Sequence, residues 1–199
     1  MAESVLRSDQ KAIVDLIERG ATVLDLGCGQ GELLNALVKK KQVKGQGIEI
    51  DDEAILHCVA LGLNVFHDDI DRGLSEYSDQ SFDYVILNQT FQQVRKPDEV
   101  LQESLRVGRR VIIGFPNFAS LSTRYHLGVR GRTPVTPSLP YQWYDTPNLH
   151  FLSILDFIDY CKERKMQIVK AFYFAGTKRI SILPNLFAHT GVFLISRLG

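Results

Sequence analysis

Cysteine is scarce in this 199-residue chain: Cys28, Cys58 and Cys161 make up the whole complement. Their number is odd and no pair is spaced Cys-x-x-Cys, which argues against a disulfide framework and against a zinc knuckle, and no metal site is expected. Net charge is missing as well. The 23 Lys and Arg are matched by 23 Asp and Glu, so nothing global points to nucleic acid or to a membrane surface. No apolar run approaches the ~20 residues of a membrane span. The first residues, Met1 to Lys11, are charged early and carry no long apolar core, so no secretory signal is expected. Together with the unpaired cysteines this points to the reducing cytoplasm. Internal repeats and low-complexity tracts are also absent. What remains is a hydrophobic content of 45%, ordinary for a globular chain, and a length that suits one domain over residues 1–199.

Strand-like and helix-like segments alternate along most of the chain. Ser8 or Asp9 can cap a first helix, with Ile13, Leu16 and Ile17 inward, closed by Gly20. Strands are predicted at 22–26, 45–50, 64–67, 82–87 and 110–115. Helices are predicted at 32–40, 53–61 and 97–105, the last opened by Pro97 in its first turn. An amphipathic helix over 152–164 and two closing strands, 167–174 and 191–196, complete the pattern. Phe82 to Leu87 is apolar on both faces, as a central parallel strand should be. The alternation predicts an α/β fold with a mostly parallel sheet and helices on both faces. Ligands of such sheets bind outside the carboxyl ends of the strands.

The chemistry concentrates at those ends. Val23-Leu24-Asp25-Leu26-Gly27-Cys28-Gly29-Gln30-Gly31 reads as a buried strand entering a glycine turn. Its spacing is G-x-G-x-G, whereas the dinucleotide fingerprint G-x-G-x-x-G would need glycine where Glu32 stands. Glycine at 27, 29 and 31 lets a ligand lie against bare backbone. Asp25 would repel a pyrophosphate and welcome an ammonium group. This combination suits S-adenosylmethionine (SAM), which has no phosphate and carries a sulfonium and an amino-acid end. Glu49 ends the second strand, where a carboxylate can accept from both ribose hydroxyls; taken alone it is also an ordinary solvated strand-end acid. Asp69 can accept from an adenine amino group while the N–H of Ile70 donates to the ring, with Asp68 and Asp71 as neighbouring alternatives. Asn88 and Gln89 fall at the end of the fourth strand, beside the expected sulfonium. Cys28, inside the turn, is a small residue for a crowded loop rather than a nucleophile.

The segment from about 118 to 150 breaks the rhythm and is too long for an ordinary connection. Pro134, Pro137 and Pro140 stiffen its second half. Tyr141, Trp143, Tyr144, Asp145 and His150 can shape an acceptor pocket, and Tyr144, Asp145 and His150 are the candidate catalytic residues; the same residues can equally pack the insertion onto the sheet. From Ser104 to Tyr144 there is no acid and there are six arginines (106, 109, 110, 124, 130 and 132), while residues 67–83 hold six acids and one arginine. Arginine clusters suit anionic ligands and partner interfaces.

The runs VLDLGCGQGELL and GIEIDDEAI resemble class I SAM-dependent methyltransferases over residues 20–115. DDIDRGL, FDYVILNQTFQ, GRRVIIGFPNF and LPYQWYDTPNLHF resemble the MetW family of methionine-biosynthesis proteins over nearly the whole chain. The resemblance implies a Rossmann-like methyltransferase fold of seven strands, the last antiparallel. It places Asp25, Gly27, Gly29 and Gly31 at the methionine end of SAM or S-adenosylhomocysteine (SAH), Glu49 at the ribose, and Asp69 with Ile70 at the adenine. It also implies a role as partner and activator of the homoserine O-acyltransferase MetX, with the 118–150 insertion as the candidate contact. The alternative is a SAM-dependent methyltransferase acting on a small molecule. The Asn-Pro-Pro-Tyr of amide and amino-base methylation is missing; Asn88-Gln89-Thr90-Phe91 stands in its place.

Overall fold

In the computed structural model, residues 6–198 are described. Among these residues seven α-helices, one 3-10 turn (Ile70–Arg72) and eight strands follow one another. The elements are α1 (Ser8–Leu16), β1 (Thr22–Leu26), α2 (Glu32–Lys41), β2 (Lys44–Glu49), α3 (Asp52–Ala60), β3 (Val65–His67), β4 (Phe82–Asn88), α4 (Pro97–Val107), β5 (Gly108–Pro116), α5 (Leu121–Gly128), α6 (Ile154–Glu163), β6 (Met166–Ala175), β7 (Lys178–Arg179), α7 (Pro184–Phe187) and β8 (Thr190–Arg197). They form one sheet in the order β3-β2-β1-β4-β5-β8-β6-β7. β1 to β5 pair in parallel, and β8 runs antiparallel to both β5 and β6. The sheet has eight strands where seven were expected, because Lys178–Arg179 folds back on Phe174 and Ala175 as a two-residue edge strand.

Alternation along the strands sorts the core into two layers. Leu24, Leu26, Val85 and Leu87 face α4 and α6, meeting Leu101, Leu105, Ile154 and Phe157. Val23, Tyr84, Ile86 and Ile112 face α1 and α2, meeting Ile13, Val14, Leu33 and Leu37. Asp25 and Asn88 continue that second set by the same two-residue period, so α1 packs over them.

Two boundaries differ from expectation. The first helix stops at Leu16 rather than near Gly20: Ile17 is already extended, with φ −81° and ψ 132°. Gly20 adopts φ +77° in the following turn and donates to Lys41 O at 2.8 Å. The 118–150 segment contains an unforeseen helix, α5, capped by Ser120, whose side chain accepts from Thr123 N. Among the described residues no helix is long and apolar enough to cross a membrane.

Phe157 is the centre of the α6-side core. Its ring lies 5.9 Å from Phe91, 5.2 Å from Phe115 and 4.8 Å from Phe193. Phe157→Ala is expected to cost about 3–5 kcal/mol, readable as a fall in the denaturation midpoint at unchanged slope.

Candidate functional site

The carboxyl ends of β1, β2 and β4, with the N-terminus of α1, enclose a cavity of about 570 Å³, within the range of small-molecule sites. The turn after β1 forms its floor. Gly27 and Gly31 both take positive φ, +71° and +77°. A Cβ on Gly27 would lie 2.6 Å from Thr90 Oγ1, and one on Gly31 would lie 2.7 Å from Cys58 Sγ. At these two positions glycine makes room for the protein's own side chains. Above Gly29 the Cβ direction is empty to 4 Å. Close approach by a ligand therefore belongs to Gly29, while Gly31 does not line the cavity and turns the chain into α2.

Asp25 lines this cavity, is 3% exposed, and has no hydrogen-bond partner among the described residues. Burial, and then the charge of Glu49, push its carboxyl up to about 7. Glu49 is fixed in place: Oε2 accepts from Gly29 N at 2.7 Å, and Oε1 accepts from Ile50 N at 2.8 Å and Asp51 N at 3.1 Å. Asp69 and Ile70 lie on the far wall, where Asp69 Oδ1 accepts from Asp71 N at 3.0 Å. Asp71 in turn accepts from Arg95 N and Lys96 N, tying the wall to the loop after β4.

Asn88 also lines the cavity. Its Nδ2 donates to Asp9 Oδ2 at 3.0 Å, which fixes the amide orientation because a carboxylate can only accept. Asn88 Oδ1 is then buried without a partner. Next to it, Gln89 holds φ +63°, a strained backbone at the cavity wall.

Arg7 and Gln10 were not foreseen. Both line the cavity from α1. Gln10 Oε1 accepts from Arg7 N at 3.0 Å, and Arg7 Nε and Nη2 grip Asp9 at 3.1 and 3.0 Å. Asp9 thereby joins Arg7 to Asn88, linking α1 to the end of β4. The sequence shows α1, but the contact between α1 and β4 spans 79 residues and leaves no local signal.

Tyr144, Asp145 and His150 are not brought to this cavity. Tyr144 and Asp145 are exposed on the insertion, and Tyr141 and Trp143 line a separate pocket of about 150 Å³ with Phe118 and Phe151. His150 is a strut. Its Nε2 donates to Val94 O at 2.9 Å, and its N–H donates to Gln92 O. Among the described residues no His, Tyr or Lys lines the larger cavity. Cys28 and Cys58 lie under the glycine turn. Cys58 Sγ donates to Gly29 O at 3.2 Å, and burial raises both thiols, consistent with packing rather than nucleophilic duty.

The six arginines do not form one cluster. Arg106 is bound to Glu103 and Asp79 and to the carbonyls of Tyr77 and Leu74; Arg109 pairs with Asp83 and Arg110 with Glu18. These three sit at the amino ends of β4 and β5, away from the cavity. Arg124, Arg130 and Arg132 remain, exposed, on the insertion.

Residues 7–195 match the family model described as "Methionine biosynthesis protein MetW". The chain belongs to the MetW family. A curated relative from Rhodopirellula baltica, described as bifunctional methionine biosynthesis protein MetXA/MetW, is 36% identical over 209 residues. The alignment covers 98% of this chain and 34% of that one, so the MetW-family chain spans about a third of the relative's length. Solved structures show the same fold. A SAM-dependent methyltransferase from Archaeoglobus fulgidus is 16% identical with a TM-score of 0.73, covering 98% of this chain and 95% of that one. Magnesium protoporphyrin IX methyltransferase from Synechocystis PCC 6803, solved with bound SAH, is 15% identical with a TM-score of 0.67, covering 95% and 82%. This MetW-family protein therefore has the Rossmann-like methyltransferase fold.

The state of Asp25 gives a prediction with a definite sign. Burial and the charge of Glu49 push its carboxyl up to about 7 in the fold, against an ordinary value of 3.8 in the unfolded chain. The fold binds the extra proton between those values, so this contribution to stability is full below the lower one, is lost as pH rises toward about 7, and changes no further above it. Thermal unfolding of wild type and Asp25→Asn across that window should show the variant gaining on wild type as pH rises. A pH-independent gap would contradict the assignment.

Proposed function

We propose that the cavity binds SAM or SAH, and that the protein acts as partner and activator of homoserine O-acyltransferase, MetX. The buried, unpartnered Asp25 carries the first half. Six carboxylates line the cavity (Asp25, Glu32, Glu49, Asp68, Asp69 and Asp71) against the two guanidinium groups of Arg7 and Arg95. A pyrophosphate would be repelled there, whereas a cationic nucleoside would be drawn in. In this reading Asp25 accepts from the ligand's ammonium at the Asn88 end of the cavity, and Arg7 takes its carboxylate. Gly27 and Gly29 give the floor and Glu49 the ribose hydroxyls, while Asp69 and the N–H of Ile70 meet the adenine. When bound, SAM supplies an electrophilic methyl on sulfur.

The relative from Rhodopirellula baltica supports the second half, since its description joins MetXA and MetW in one polypeptide. A ligand-sensing role follows from the connection between the cavity and the insertion. Gln93, Val94 and Arg95 line the cavity, and Leu149 and His150 are bonded to Gln92 O and Val94 O. Occupancy that favours one arrangement of this wall would shift the docked state.

The test is homoserine acyltransferase activity of the cognate MetX, with and without this protein, across a SAM titration. The rate should rise on adding the protein and the rise should depend on SAM. Glu49→Ala should retain docking and lose the SAM response. An identical response with Glu49→Ala would remove the sensing role, and no rise at saturating protein would remove the activator role. Arg7→Gln should weaken SAH about tenfold, as expected for loss of a charge-assisted bond. It should leave 5′-methylthioadenosine, which has no carboxylate, unchanged by calorimetry.

A further inference from the structure

Three segments distant in sequence converge on buried Asn117. Its Nδ2 donates to Asn185 O at 3.0 Å and Ala188 O at 2.8 Å, and its Oδ1 accepts from Ala119 N at 3.1 Å and Ile154 N at 3.4 Å. Its own N–H donates to His189 O, and Leu155 N donates to Asn185 Oδ1. One amide thus ties together the start of the insertion, the entry to α6 and the segment around α7. Outward from this node stand Leu121, Phe151, Leu155, Ile182, Leu183 and Phe187, all exposed; Ile182 reaches 74% and Phe151 68%. The three segments that Asn117 joins thus carry six large exposed apolar side chains between them, more than the single scattered residues normal for a surface. A platform held this way loses little freedom when a partner covers it.

The insertion beside it is basic: it carries no acid before Asp145, and Arg124, Arg130 and Arg132 are exposed on it, while Asp156 of α6 is engaged in capping Ser153 N. Arg124 is fixed at the patch by its Nε–H, which donates to Ala119 O at 2.7 Å. A second copy packed patch to patch would bring like charges together. A partner with an apolar spot ringed by carboxylates would be complementary in both respects.

We propose that this patch around Asn117 docks an acidic-rimmed apolar face of the homoserine acyltransferase, which rests on the partnership proposed above and extends the contact from the insertion to α6 and α7. The Gln92–His150 strut leads from the cavity wall to Phe151, and so to the patch.

Binding of the full-length chain to purified cognate MetX, measured by calorimetry at low and high salt, tests this. The double variant Phe151→Glu plus Ile182→Glu should bind at least tenfold more weakly. Leu56→Glu, an equally exposed site on α3, should bind as wild type, and wild-type affinity should fall with salt. Should the double variant unfold, Arg124→Glu should still weaken binding several-fold and flatten the salt dependence. Wild-type binding with no loss in either variant overturns this docking face and leaves the partnership standing. No binding by wild type overturns both. Sedimentation with anionic vesicles, or self-association abolished by the double variant, in place of MetX binding would give the patch another occupant and overturn the proposal.

Discussion

A carboxylate that is 3% exposed and accepts no hydrogen bond from the described residues is costly to keep ionised. Asp25 sits in that position at the end of the first strand, with Glu49 adding repulsion. Much of the surrounding structure is arranged about it. Parallel pairing places Asp25 opposite Gly47 of β2 and Ile86 of β4, which brings Glu49 and Asn88 to the same edge. The α1 helix covers it and contributes Asp9, Gln10 and Arg7. The protein's own cations do not neutralise Asp25, because Arg7 is turned to Asp9. On the proposed reading a bound cation relieves this cost, and that is what would give the cavity a preference for a cationic ligand.

Two hydrogen-bonded nodes transmit this arrangement outward. The first is Gln92, buried, whose carbonyl takes Leu149 and His150 from the insertion. The second is Asn117, whose amide gathers the insertion, α6 and α7. Between them the long 118–150 segment is anchored at both ends, although its middle is irregular and largely exposed. The cavity wall and the apolar patch are therefore parts of one connected edge of the sheet.

Most of the sheet was legible because its determinants are local. Period-two burial, glycine turns and Pro97 locate β1 to β5 and α2 to α4 within a residue or two. The positions carrying Asp25, Glu49, Asp69 and Asn88 follow from strand ends, and the structure places all of them around one cavity. Less legible were features set by contacts distant in sequence. Gly31 looks like a ligand-facing glycine, yet Cys58 and Leu63 fill the space beside it and it does not line the cavity, whereas Gly27 lines the cavity with Thr90 against its Cβ direction. The arginines from 106 to 132 look like one patch, but half of them pair with Asp79, Asp83, Glu18 and Glu103 at the opposite end of the sheet. The aromatic run at 141–144 looks like an acceptor pocket and instead lines a small separate hollow. Arg7 and Gln10 gave no local sign, since their approach depends on α1 crossing the end of β4.

The central claim is that Asp25 ionises to receive a cation. Its most direct test is calorimetric titration of the protein with SAM near pH 6.5, repeated in buffers of different ionisation enthalpy. Binding is expected with release of a substantial fraction of a proton, and with no such release in Asp25→Asn. Absence of binding, or binding with no proton released by the wild-type protein, would contradict it.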